Sequence, residues 1–145
     1  MSTAVQPVEQ HEHAAADLPS PVKLTPRGYG HHEFMASLLP GVFERKVINL
    51  ILETNAKLKK YSDDSVRLRL GNTLLFVRDK PVNEVKVEVS ITIDRDTPCP
   101  DSMTRVVVDI RPRERVKKEL FEKRCNHVVR AIHACFLGHH LQRLN

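Results

Sequence analysis

The 145-residue chain is 41% apolar and 28% charged, with a formal net charge of +5, and these values fit one ordinary globular domain rather than two. Its uncharged apolar stretches fall short of the roughly 20 residues that a membrane span needs. The N-terminal stretch holds Glu9, Glu12 and Asp17 where a secretory signal would have an apolar block. These exclusions set a cytoplasmic expectation.

The chain opens on a segment rich in Pro, Ala, Ser, Gln and His, with Pro7, Pro19, Pro21 and Pro26 and almost no large apolar side chains. Such a stretch cannot bury enough surface to offset its ordering entropy, so residues 1–30 read as a flexible arm and residues 31–145 as a single domain. To Glu33 the arm carries Lys23 and Arg27 against Glu9, Glu12, Asp17 and Glu33, a net −2, which leaves +7 on the remainder. Gly28-Tyr29-Gly30 reads as a hinge at the domain edge.

From Pro40 to about Lys60, Phe43, Val47, Leu50, Ile51 and Leu58 recur at helical spacing, with Pro40 where a first turn tolerates it. Lys57, Lys59 and Lys60 would complement the carbonyls at the end of this helix. Ile48 and Leu52 lie opposite Phe43 and Leu50, so the helix is apolar on two sides and calls for cover there. In Ser65 to Arg78, Val66, Leu68 and Leu70 alternate with Arg67 and Arg69 before Gly71-Asn72 and a second apolar run, the pattern of a hairpin.

Val85, Val87, Val89, Ile91 and Ile93 alternate strictly with Lys86, Glu88, Ser90, Thr92 and Asp94, which predicts a strand with one buried and one wet face. After a turn-rich segment with Pro98 and Pro100 around Cys99, Thr104 to Arg111 repeats the pattern through Val106, Val108 and Ile110, and Pro112 closes it. A long helix is expected from about Arg113 to Leu141, with Phe121, Cys125, Val128, Val129, Ile132, Cys135 and Phe136 on one side. Val116 and Leu120 fall off that stripe, which implies a late start, a bend or a break.

The expected fold is therefore α+β: helix, four-stranded antiparallel sheet and long C-terminal helix, with the helices packed on one sheet face. The other face would carry Arg67, Arg69, Lys86, Glu88, Ser90, Thr92, Arg105 and Arg111. In element order alone this is similar to double-stranded-RNA-binding domains and helix-grip ligand carriers.

Arg67, Arg69, Arg113, Arg115, Lys117 and Lys118 form a candidate phosphate-neutralising surface, the last four set against the macrodipole of the final helix. The bland alternative is i,i+4 pairing with Glu114, Glu119 and Glu122 on a solvated helix. The sheet face lacks aromatic residues, so a nucleic acid would be held by its backbone and shape. Cys125, His127, His133, Cys135, His139 and His140 are metal-ligand types, but they scatter around the helix wheel, and no metal or other cofactor is expected. His11, His13, His31 and His32 are weaker candidates still.

No phosphate-binding, dinucleotide, zinc-protease or nucleophile-elbow motif occurs. Cys99 has no positioned partner, and Glu88 with Asp109 among basic neighbours suggests ion pairing. A catalytic role is not expected. The three cysteines fit neither a C-x-x-C pair nor a disulfide framework and read as reduced thiols.

The leading expectation is a non-catalytic binding or adaptor domain that engages a protein partner or a second copy of itself, with Ile48 and Leu52 at the interface. A nucleic-acid backbone binder is the first alternative. A small apolar-ligand carrier, with a cavity lined by Val89, Ile91, Val108 and Ile132, is the second.

Overall fold

The computed structural model describes residues 22–71, 82–96 and 103–137. Its strands are β1 (Lys23–Leu24), β2 (Gly30–Ala36), β3 (Lys57–Ser62), β4 (Ser65–Leu70), β5 (Val87–Asp94) and β6 (Thr104–Pro112). Its helices are α1 (Val42–Thr54) and α2 (Lys118–Phe136), and a single 3-10 turn spans Val82–Glu84. The strands form one antiparallel sheet in the order β1-β2-β6-β5-β4-β3.

This corrects the expected four-stranded sheet with helices packed on one face. The sheet has six strands. Of the helices, α2 runs against β2, β6 and the turn before β5, while α1 packs chiefly on α2.

Each difference has a local cause. Within the stretch read as arm and hinge, Val22 is buried, its N–H donating to Asn126 Oδ1 at 3.0 Å, and β1 pairs with β2. The inward positions of β2 are Gly30, His32, Phe34 and Ala36, which supply too little apolar alternation to read as a strand. The first helix stops at Thr54 because Asn55 adopts a left-handed conformation at φ 56°, its N–H returning to the Ile51 carbonyl. Asn is one of the few side chains that accept that geometry. Lys57, Lys59 and Lys60 therefore sit on β3 and not at a helix end.

The final helix begins at Lys118 and not at Arg113. The Arg113 N–H donates to the Lys86 carbonyl, and the Glu114 carboxylate accepts the Lys86 N–H at 2.7 Å, so residues 113–117 run on as a strap across the start of β5. Val116 and Leu120 cover the core from this strap and the first turn, off the main stripe. The apolar run expected after Gly71-Asn72 and the helix end at Leu141 lie outside the described residues. Gly71 itself closes β4 at φ 118°, a backbone that side chains rarely adopt.

The core fills with β-branched residues from the central strands, where Leu68, Val89 and Ile110 stand in one cross-strand row and Val66, Ile91 and Val108 in the next. The predicted α2 stripe is buried throughout, and Phe136 meets Phe34 and Phe43 edge-on at 6.1 Å centroid spacing. Sequence reasoning missed Arg124, which is buried within that stripe. Its Nε donates to the Val85 carbonyl at 3.0 Å and ties α2 to the turn before β5.

Candidate functional site

The polar face of the sheet is a grid of side chains set by strand register. One row crosses the strands as Lys57, Arg69, Glu88 and Arg111, and the next as Lys60, Arg67, Ser90, Asp109 and His31. Glu88 is only 5% exposed although it faces outward, because three guanidinium groups close over it. Arg111 donates to it at 2.6 Å and Arg69 at 3.4 Å, and Arg67 lies 3.9 Å away. Burial alone would push its carboxyl up; Arg111, then Arg69 and Arg67, outweigh burial and hold it below the usual carboxylate range. An open groove of about 210 Å³ lies here, lined by Tyr29, Arg67, Glu88, Ser90, Asp109, Ile110 and Arg111.

Toward β2 the face changes sign. His31 is bracketed by Asp109 at Nδ1 and Glu33 at Nε2, each 2.7 Å away. The hydrogen bonds to Asp109 and then Glu33 raise its pKa. Arg105 pairs with Glu33 and donates to Asp94 at 2.9 Å. Both imidazole nitrogens of His31 are thus engaged by carboxylates, which leaves no basic nitrogen to activate a nucleophile. On the opposite face His32 Nε2 lies 2.9 Å from His133 Nε2 and joins β2 to α2, and burial lowers the His32 pKa.

The six basic residues singled out from sequence lie on three different parts of the fold. Arg67 and Arg69 are on the sheet face around Glu88, whereas Arg113, Arg115 and Lys117 lie on the strap and Lys118 opens α2. Arg113 and Arg115 lie ahead of the helix, whereas Lys117 as its N-cap residue and Lys118 in its first turn keep their positive charge at the N-terminal end of the macrodipole, with Glu119 beside them. Of the residues expected on the polar face, Lys86 precedes β5, and the others lie on β4, β5 and β6. Glu88 and Asp109 are ion-paired, Glu88 with arginines and Asp109 with His31.

The two proposed interface residues are exposed, Ile48 at 48% and Leu52 at 75%. They sit one turn apart on the side of α1 away from Phe43, Val47 and Leu50, which are buried. Beside α1 runs β3, the last strand of the sheet, with all six residues exposed. Phe43 stacks on Tyr61 across this junction at 6.1 Å. The Tyr61 hydroxyl is pushed up by burial and then by the charges of Glu44 and Asp63. Leu58, between Lys57 and Lys59, and Tyr61, after Lys60, are half-exposed.

Among the described residues no three His, Cys, Asp or Glu side chains converge to hold a metal ion. Cys125 and Cys135 are buried, and burial pushes the Cys125 thiol up to about 12, far from a reactive thiolate. Cys99, His11, His13, His139 and His140 lie outside the described residues. Val89, Ile91, Val108 and Ile132 are fully buried in the core. No described helix is long and apolar enough to cross a membrane.

The chain is a small α+β domain. No protein-family model and no curated protein matches its sequence. It is similar to a crystal structure from Deinococcus radiodurans at 13% identity, covering 76% of this chain and 98% of that one, with a TM-score of 0.35. A likeness of that size carries no functional meaning.

Proposed function

We propose that this chain is a non-catalytic binding domain that docks an extended, acidic and apolar segment of a protein partner along β3 and the outer face of α1. The observation that carries this reading is the exposure of Ile48 and Leu52 on α1 together with that of all six residues of the edge strand β3, which α1 meets through the Phe43–Tyr61 stack. Lysines alone are the ordinary means of keeping an edge strand solitary. Here Leu58 and Tyr61 break the lysine run, and an added strand would gain both ladder hydrogen bonds and apolar contact.

Charge selects among the occupants. A second copy of β3 would set lysines near lysines, which is unfavourable across a strand pair, whereas acidic side chains would pair with Lys57, Lys59 and Lys60. Peptide-display selection against the full chain is expected to enrich sequences that alternate apolar and acidic residues. Their binding should be lost in Leu52→Glu and Leu58→Glu at unchanged melting temperature. Enrichment of sequences indifferent to both substitutions would overturn the reading.

A duplex held by its backbone needs a contiguous positive surface. Glu33, Asp94 and Asp109 interrupt the sheet face, so anisotropy titrations with duplex RNA and duplex DNA at about 50 to 200 mM salt are expected to show no tight, salt-sensitive binding. Such binding would put the nucleic-acid reading first.

A further inference from the structure

We infer that His32 and His133 form a chelating site for a divalent transition-metal ion of the nickel and copper class, held across the junction of β2 and α2. The site does not rest on the docking edge, because β3 ends the strand order and β2 lies toward its other end, beside β1. Its basis is the meeting of two imidazole nitrogens. His32 Nε2 and His133 Nε2 stand 2.9 Å apart, although 101 positions separate the two residues in the sequence. Imidazole nitrogen is a ligand for zinc, copper, iron and nickel, and the angle at which two such nitrogens are held selects among these metals. At a metal–nitrogen distance of about 2.0–2.1 Å, nitrogens at a right angle stand about 2.9 Å apart and nitrogens at a tetrahedral angle about 3.3–3.4 Å apart. The observed spacing is that of neighbouring corners in the square-planar and tetragonal geometries of copper and nickel.

The proton shared by the two rings can therefore be exchanged for a metal ion while β2 and α2 keep their places, the rings pivoting about their own torsions until both lone pairs converge. The supports are rigid, as a ligand pair requires. All seven residues of β2 pair with β6, and on α2 the buried Ile132 and Phe136 stand on either side of His133 in sequence. Phe34 walls the pair, its ring 4.5 Å from that of His133 and 6.0 Å from that of His32. Both histidines are half-buried, so water is expected at the remaining coordination positions. Among the described residues no third His, Cys, Asp or Glu joins them, which makes the site a two-point clamp between strand and helix and not an enclosed structural centre. Sequence spacing scatters the metal-ligand types around one helix wheel; the long-range contact of β2 with α2 is what brings two of them together.

The test uses the full, untagged chain at neutral pH, titrated with nickel(II), zinc(II) and magnesium(II) and followed through its backbone amide resonances. Nickel is the probe because it is paramagnetic and, unlike copper(II), leaves thiols unoxidised. Saturable broadening centred on His32, Phe34 and His133 is expected with nickel, weaker binding with zinc, and none with magnesium, which takes oxygen ligands. His32→Asn and His133→Asn should each weaken nickel at this site about tenfold or more, because a chelate needs both nitrogens. Nickel should also raise the melting temperature of the unsubstituted chain more than that of either variant. His11, His13, His139 and His140 are retained in both variants and report any metal held elsewhere. Broadening in the unsubstituted chain needs no variant, so the test stands if a substitution fails to fold. Broadening confined to those four histidines, undiminished binding in either variant, or tighter binding of zinc than of nickel would overturn the assignment.

Discussion

Gly30 shows how a single atom decides where β2 can lie. A Cβ at this position would meet Cys125 Sγ at 2.8 Å and Val22 Cγ1 at 3.1 Å, and its backbone is not in the left-handed region, so the demand for glycine is one of space. Gly30→Ala should cost about 1–3 kcal/mol through overpacking. Cys125→Ala removes the atom in the way, so the double variant should lose less than the two single losses combined, as read by urea unfolding. Strict additivity would refute the contact. The neighbouring histidines titrate in opposite senses. His31, raised by Asp109 and Glu33, contributes stability that is full below the ordinary value near 6.5 and is lost as pH rises through its folded pKa. His32, lowered by burial, contributes stability present above that value and lost as pH falls through its folded pKa. The melting deficit of His31→Asn should therefore shrink on going alkaline and that of His32→Asn on going acidic. Ring-proton titrations should give midpoints on opposite sides of about 6.5; midpoints on the same side would contradict the assigned partners.

At the scale of elements, α1 separates folding from recognition. Leu50 is buried and Leu52 exposed two positions along the same helix, so Leu50→Ala should cost about 2–5 kcal/mol and Leu52→Ala within about 0.5 kcal/mol, measured by chemical denaturation. A large loss at Leu52 would mean that it is covered in the native fold. That two-sided helix was legible in the sequence because a 3.6-residue period shows any second apolar stripe. Likewise β5 and β6 were legible because their inward positions are all β-branched. The period of β3 was not: a strand with no buried face has nothing to alternate, and Leu58 falls seven residues after Ile51, where a continuing helix would also put it. Arg67 and Arg69 stood out by alternation, but their joint partner Glu88 depends on the β4–β5 register, which pairs residues 17 to 27 positions apart and which no local pattern records.

For the whole molecule, sheet order sets a gradient of stability that bears on docking. β5 and β6 are central and paired on both sides, and they carry most of the fully buried Val and Ile, whereas among the described residues β3 pairs only with β4 and through a register shift between Leu58 and Lys60. Edge backbone with exposed hydrogen bonds opens by local fluctuation, while doubly paired core strands open only with global unfolding. Hydrogen exchange should accordingly find the slowest amides at Val89, Ile91, Val108 and Ile110 and fast exchange across Lys57–Ser62. An acidic partner segment laid along β3 would pair the free side of that strand and tie it to the sheet, so partner binding should slow exchange at β3 far more than at β5. A partner that protects β5 and β6 while β3 continues to exchange freely would move the docking surface from the edge to the polar face.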